Sequence, residues 1–280
     1  MAERSARKQR PLTRLRVLRT EWLTPHIVRV VLGGPGFASF EPNGFTDAYV
    51  KLLFPQPDVH YPEPFDMQRV REEYPREQWP TTRTYTVRYH DPTNRELAID
   101  FVCHGDTGLA APWAAAAEPG EELMMLGPGG AYAPDPEADW HLLVGDESAL
   151  PAISAALERL EQVAAGAKAR VVLEVTGVDD EVKLAGPKDT SISWIHRESD
   201  PDGLVRTVRQ MDFPPGVPHA FVHGEAGFIR ELRRHLLDER AVPKDALSIS
   251  GYWRRGKNED GWQAEKAEEK AAEQARSVRS

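Results

Sequence analysis

Arg83-Thr84-Tyr85-Thr86-Val87-Arg88-Tyr89 is the stretch on which the fold turns. Thr84, Tyr85, Thr86, Val87 and Tyr89 are β-branched or aromatic, so the run reads as a strand. On a strand, Arg83 and Tyr85 point to one face and Thr84 and Thr86 to the other. At a strand end the chain can bend, so an arginine, a ring and a hydroxyl can address one flat, phosphorylated ligand. Arginine pairs with a diphosphate, the ring packs on a planar heterocycle and the hydroxyl bonds a ring nitrogen, as holding FAD requires. An ordinary exposed strand also carries such residues, so the rest of the chain has to decide.

On either side of this stretch lie more short strand-like runs: Leu12 to Leu18, Ile27 to Leu32, Tyr49 to Phe54 and Leu97 to Cys103. Gly33-Gly34-Pro35-Gly36, Glu41-Pro42-Asn43-Gly44 and Asp91-Pro92-Thr93-Asn94 punctuate them as turns. That spacing predicts a small antiparallel barrel. Residues 55–80 hold six prolines and many charges and read as a long loop outside the core.

Past about residue 138 the texture changes. His141-Leu142-Leu143-Val144 is a buried-strand run that ends at Gly145-Asp146-Glu147-Ser148 and leads into an apolar-periodic helix, Ala149 to Val163. Arg170 to Thr176, Trp194-Ile195, Ala220 to Glu225 and Leu247 to Tyr252 read as further strands. Helices are expected near Gly203 to Arg209 and over Gly227 to Leu237. Strands alternating with helices imply a parallel sheet. The chain therefore divides into a basic tail (1–11), an antiparallel β-barrel domain (12–138), a parallel-sheet α/β domain (139–253) and a C-terminal tail helix (254–280). A barrel followed by an α/β domain is the ferredoxin-reductase-like architecture.

Composition narrows the function. A chain of 280 residues, 40% hydrophobic, is that of a globular protein with room for two domains. No apolar run approaches the roughly 20 residues that span a bilayer, and no apolar core follows the basic N-terminus as in a secretory signal. The single cysteine, Cys103, excludes an internal disulfide and a Cys-ligated zinc or iron–sulfur centre built by this chain alone. The expected compartment is the cytoplasm. The net charge of −9 is uneven. Residues 1–19 hold seven basic residues against one acidic, residues 254–280 are near balance, and the middle is strongly acidic. No aromatic residue interleaves the N-terminal charges, so a solvated tail is favoured over a nucleic-acid or lipid contact.

Four segments together resemble the siderophore-interacting protein family, flavin-dependent ferric-siderophore reductases of bacteria. They are Arg83 to Arg88; Asp100-Phe101-Val102-Cys103-His104-Gly105 with Gly108-Leu109-Ala110-Ala111-Pro112-Trp113; Val144 to Ala152; and Gly251-Tyr252-Trp253-Arg254-Arg255-Gly256. The last is the most distinctive, and the resemblance extends from about residue 12 to 262. It implies an FAD-binding barrel and an NAD(P)H-binding α/β domain. Arg83 would bind the FAD diphosphate, Tyr85 would pack on the isoalloxazine and Thr86 would bond near its N5, with Thr84 beside them. Asp100, Phe101, Val102 and His104 would line the flavin and its sugar chain. Gly108, Leu109, Ala110 and Ala111 would open a short helix, packed by Trp113, toward phosphate oxygens. A glycine before small residues at a helix start suits that role on physical grounds too.

The family places the pyridine nucleotide at Gly145, Asp146, Glu147 and Ser148. This turn lacks Rossmann glycine spacing and carries two carboxylates, so it suits nicotinamide or ribose better than diphosphate. Asp179, with Asp180 and Glu181, follows the next strand. These acids suit ribose hydroxyls and would repel a 2′-phosphate, which favours NADH over NADPH; an acidic surface loop accounts for them equally. Gly224 and Glu225 end a later strand toward the same site, and Tyr252 and Trp253 would shield the nicotinamide face of the flavin. Lys51, Arg254, Arg255 and Lys266 would attract an anionic ferric siderophore, in a chain otherwise acidic.

The resemblance thus implies an NAD(P)H-dependent flavin oxidoreductase acting on siderophore-bound iron, with no catalytic acid–base pair and no resident metal. A ferredoxin is the alternative electron donor, and a monomer is expected. The related reductases that carry a cysteine-bound [2Fe–2S] cluster are excluded by the lone Cys103. A general flavin or ferredoxin-linked oxidoreductase with another acceptor, and a siderophore-binding module without turnover, stay open as alternatives.

Overall fold

Six strands of the first half close on themselves because each sends apolar residues inward at every second position. In the computed structural model, which describes residues 10–103, 108–257 and 261–262, they are β1 (Leu12–Thr24), β2 (Ile27–Gly33), β3 (Tyr49–Phe54), β4 (Thr81–Asp91), β5 (Glu96–Val102) and β6 (Glu122–Gly129). All are paired antiparallel in the order β1-β2-β5-β4-β3-β6, and β6 returns to β1. Leu15 and Val17, Val28 and Val30, Val50 and Leu52, Val87, Ile99 and Phe101, and Leu123 and Met125 fill the interior.

Two readings of this half are corrected. Residues 122–129 are a sixth barrel strand absent from the sequence reading. Met124 and Leu126 are apolar although they point outward, so the run lacks the apolar–polar alternation of a half-buried strand. Their cover comes from the segment read as a long loop outside the core. It contains helix α1 (Met67–Glu73), capped by Asp66, whose Oδ1 accepts the Gln68 N–H at 2.7 Å. Phe65, Met67 and Val70 pack there with Leu53 in a satellite core against Met124 and Leu126. The prolines punctuate that segment without preventing it from packing.

The second half is a five-stranded parallel sheet of order β11-β10-β7-β8-β9. Its strands are β7 (Trp140–Asp146), β8 (Lys168–Val175), β9 (Asp189–His196), β10 (Pro218–Glu225) and β11 (Leu247–Trp253). Helix α2 (Ala110–Ala116) belongs to the barrel, and α3 (Leu150–Val163) covers one face of the sheet. Leu150, Ile153, Leu157 and Leu160 lie on the buried side of α3 at helical spacing. Leu150, Ile153 and Leu157 meet Leu143 and Phe221 of the sheet together with Ile27 and Tyr132 from the barrel side, so one core runs through both halves. Helices α4 (Gly203–Gln210) and α5 (Ala226–Arg234) cover the other face over Leu142, Val144, Ala220 and Val222. β8 and β9 are joined without a helix, by a segment with one short 3-10 turn, Val178–Asp180. The architecture is the barrel-then-α/β order expected. Among the described residues no helix is long and apolar enough to cross a membrane.

His141 in β7 is wholly buried, and neither ring nitrogen has a hydrogen-bond partner among the described residues. Burial, reinforced by nearby His219, pushes its pKa down to about 4. The unfolded chain regains the ordinary value of about 6.5. Between those values the unfolded state binds a proton that the native state refuses, so stability is intact above about pH 6.5 and falls toward pH 4. We expect His141→Leu to remove this slope. Urea unfolding at pH 7.5 and 4.5 should show parent stability falling relative to the variant by roughly 2–3 kcal/mol. A gap that stays constant with pH would assign the acid sensitivity to other groups.

Candidate functional site

In an open parallel sheet, ligands bind beyond the carboxyl ends of the strands, where the strand order reverses. Here that point lies between β7 and β10, and the outward face of β3 and β4 stands opposite it. Between the two is a cavity of about 650 Å³. Small-molecule and cofactor clefts run roughly 300–1,000 Å³.

Strand register builds the barrel wall. Tyr49 pairs with Thr86 and Lys51 with Thr84, so these four side chains share one outward face, and all line the cavity. Tyr85 faces the barrel core, its ring 4.4 Å from that of Phe101, and still reaches the cavity rim. Asp100 and Val102 line it from β5, and Gly130 and Ala131 from the segment after β6. The acids on this wall are engaged. Asp100 accepts two bonds from Arg29 at 2.6 and 2.8 Å, and Asp47 Oδ1 accepts the N–H groups of Ala131 and Tyr132, each at 2.9 Å.

The sheet wall comes from Asp146 at the end of β7, Glu147, Ser148 and Pro151 just beyond it, His223 on β10 and Ser248 to Trp253 on β11, followed by Arg254, Lys257 and Trp262. Gly145 admits the tight strand-to-helix turn here. A Cβ on it would lie 2.5 Å from the Ala149 Cβ and 2.7 Å from the His223 carbonyl oxygen. Asp146 is buried, and burial pushes its pKa up to about 6 against the hydrogen bonds from Ser148 and Trp253. Glu147 is buried beneath the cavity as one member of an ion cluster. Arg197 reaches both Glu147 and Glu174, the latter at 2.7 Å, and the Thr176 hydroxyl donates to Glu147 at 3.0 Å. Burial opposes the Arg197 charge, but the two carboxylates outweigh it and hold the guanidinium even more firmly protonated than usual.

The structure thus brings together Lys51, Thr84, Tyr85, Thr86, Asp100, Val102, Asp146, Glu147, Ser148, Tyr252, Trp253 and Arg254 from the sequence reading. Others stand elsewhere. Phe101 is inside the barrel, because it alternates with Asp100 and Val102. Arg83 shares the Tyr85 face of β4, does not line the cavity and donates to the Thr82 carbonyl at 2.8 Å. Gly108 and exposed Leu109 precede α2, which begins at Ala110; Ala110 is buried, Ala111 half-buried, and Trp113 packs edge-on against Phe101 and Phe54.

Asp179 is exposed away from the cavity. Asp180 is buried, accepting from the His26 backbone N–H at 3.2 Å and lying 2.8 Å from its ring Nδ1, so it cannot also serve a ribose. Glu225 and Arg255 line a second cavity of about 530 Å³ beside α4 and α5, so Arg255 is separated from Arg254. His104 and Lys266 lie outside the described residues.

Tyr49, Asp47, Gly130, Ala131, His223 and Trp262 line the main cavity without having been picked out. Alternation two residues from Lys51 would have found Tyr49. The strand end before Gly224 would have found His223. Trp262 gave no signal, because it follows the last strand.

Residues 16–132 match the siderophore-interacting FAD-binding domain and residues 138–256 the siderophore-interacting protein family. An uncharacterised protein of Mycobacterium tuberculosis is 46% identical over 94% of this chain and 98% of its own. The ferric vibriobactin reductase ViuB of Vibrio cholerae is 33% identical, covering 89% and 92%. The NADPH-dependent ferric-chelate reductase of Escherichia coli is 34% identical, covering 85% and 91%. The crystal structure of the siderophore-interacting protein SipS from Aeromonas hydrophila superposes with a TM-score of 0.77 at 29% identity, covering 93% of this chain and 98% of that one. A ferredoxin reductase of carbazole 1,9a-dioxygenase shares the fold alone, at a TM-score of 0.60 and 14% identity over 86% and 69%.

The ion cluster under the cavity supplies a stability test. Removing the cation of a buried cluster leaves uncompensated carboxylates and typically costs about 3–5 kcal/mol. Arg197→Met should lower the unfolding free energy by that order in urea melts. Adding Glu147→Gln and Glu174→Gln should recover a large part of it. Loss of less than about 1 kcal/mol in the single variant would show that the cluster is solvated in solution.

Proposed function

This chain belongs to the siderophore-interacting protein family, and we propose that it is an FAD-dependent reductase of ferric siderophores, working in the cytoplasm with NADH or NADPH as donor. The observation that carries the reading is the single cavity shared by the hydroxyl-lined face of β3 and β4 and the carboxyl ends of β10 and β11. The donor set fits a flavin: Thr84 and Thr86 offer hydroxyls, and Tyr85, Tyr252 and Trp253 offer flat rings around one space. When bound, FAD converts a two-electron hydride donor into the single-electron steps that iron accepts.

The rest is the chain's own work. Arg83 would hold the FAD diphosphate, and Thr86 would bond the ring edge. The sheet wall around Ser148, Tyr252 and Trp253 receives the nicotinamide. With Asp180 engaged by His26 and Glu181 by His196, Asp179 alone of the three acids remains to disfavour a 2′-phosphate, so NADH and NADPH are both retained as donors. Lys51, Arg254 and Lys257 line the same cavity and draw an anionic ferric siderophore to it. Siderophore oxygens are hard donors that favour Fe(III), so reduction there loosens the iron without a protein ligand or general base.

The direct test is anaerobic stopped-flow. FAD-loaded protein should be reduced by NADH or NADPH and re-oxidised rapidly by a ferric siderophore. Flavin that is reduced but re-oxidised no faster by any ferric siderophore than by buffer would assign another acceptor.

Arg83→Ala should weaken FAD binding by tens to hundreds of fold, since a charge-assisted contact to a diphosphate is lost. Fluorescence titration of the apoprotein measures this, and an unchanged affinity would remove Arg83 from the diphosphate. Lys51→Ala and Arg254→Ala should each raise the apparent KM for an anionic siderophore. The effect should shrink as salt rises, because exposed charges are screened over about 10 Å at 0.1 M. A neutral siderophore should be affected less. Equal effects on both kinds would point to a structural role instead.

A further inference from the structure

Asp146 ends β7, yet its carboxylate holds the last residue of β11, although β10 lies between those strands. Oδ2 accepts the Trp253 indole N–H at 2.8 Å and the Glu225 N–H at 2.9 Å. Oδ1 accepts the Ser148 N–H at 2.9 Å and the Ser148 hydroxyl. Two backbone features make this reach possible. Gly224 has φ +144°, and a Cβ there would lie 2.6 Å from Asp146 Oδ2. The β10–β11 pairing also slips at this point: Gly224 faces Gly251 and Glu225 faces Trp253, so Tyr252 is the extra residue. Such a bulge re-aims side chains. Tyr252 and Trp253 both line the cavity, where a regular strand sends consecutive side chains to opposite faces.

The ladders already join β7 to β10 and β10 to β11. The buried carboxylate adds something they do not supply: a fixed angle for the indole. Burying an anion is unfavourable, and the raised Asp146 pKa reflects it. The four bonds offset that cost, and one of them is made to the ring.

We propose that Asp146 is a positioning residue for the nicotinamide half of the reaction: by pinning the Trp253 N–H it fixes the indole as the wall on which the donor's nicotinamide ring lies. The proposal rests on the reading of NADH or NADPH as donor. Asp146 acts through Trp253 and touches no reacting atom itself.

Two conservative variants separate this from a purely structural role. Asp146→Asn keeps the shape and one acceptor oxygen but removes the charge, and its amide can donate to the Ser148 hydroxyl oxygen. Trp253→Phe keeps a ring and removes the N–H. In stopped-flow reduction of FAD-loaded protein, each should raise the half-saturating donor concentration at least five-fold and change the limiting rate less. The double variant should be no worse than the more affected single one, because Asp146→Asn weakens, and Trp253→Phe removes, the same contact.

A second readout needs no turnover. The chain has seven tryptophans, and the indole N–H signal of Trp253 in a nitrogen-15 NMR spectrum is the one missing from Trp253→Phe. That signal should shift in Asp146→Asn, and in the parent on titration with NAD⁺ or NADP⁺. The proposal is overturned if the single effects multiply in the double variant. A signal that neither dinucleotide moves, or variants that slow re-oxidation by ferric siderophore as much as flavin reduction, overturn it as well. If neither NADH nor NADPH reduces the parent flavin, the donor reading falls and this contact falls with it. If they do and the effects multiply, only the positioning role falls.

Discussion

One buried carboxylate ties together the edge on which the site stands. Asp146 accepts from its own turn through Ser148, from β10 through Glu225 and from β11 through Trp253. Parallel strands align their carboxyl ends but leave the residues beyond them without ladder partners. A carboxylate with two oxygens can serve several such N–H groups at once, which a neutral side chain cannot do as strongly. It requires close approach, and the sequence provides it: glycine at 224 clears the path, and glycine at 145 lets the turn close against β10. Those glycines and Asp146 form one device.

The same economy of charge shapes the cavity. The chain is acidic overall, yet the ligand proposed for the cavity is anionic. The acids of the cavity wall are turned onto the protein itself: Asp47 onto backbone N–H groups, Asp100 onto Arg29, Glu147 onto Arg197 and Asp146 onto four donors. A carboxylate compensated at hydrogen-bond distance projects little field beyond it. Lys51 on the barrel wall and Arg254 and Lys257 on the sheet wall then place positive charge around the same cavity, against the sign of the chain as a whole.

Much of this was legible in the sequence, and the failures share a cause. β3, β4 and β5 could be read because alternation marks an element with one face in the core. That same alternation placed Thr84 and Thr86 on the face opposite Arg83, as the register has it. β6 was not legible, because Met124 and Leu126 are covered from outside by a segment far away in sequence. Asp180 and Glu147 read as ligand-facing acids because their partners, His26 and Arg197, lie 154 and 50 residues away. Arg255 was grouped with Arg254 because they are adjacent, although the turn after β11 sends them to different cavities. Local pattern decides which face a residue takes; only the assembled fold decides whether a charge on that face is already partnered.

The seam between barrel and sheet limits how the site can work. Two domains of one chain move freely when their interface is small and polar. Here Ile27 and Tyr132 enter the same buried cluster as α3 and the sheet. Arg88 of the barrel pairs with Glu158 of α3, and His26 at the β1–β2 turn is bonded to Asp180 beyond β8. Opening the cavity by hinging would expose that apolar core and break both contacts together. The shared cluster and the two polar contacts therefore all oppose hinging and hold the two walls in register around the cavity. That gives the fixed indole its significance. Between walls held in register, a ring bonded to a buried carboxylate is oriented before the ligand arrives.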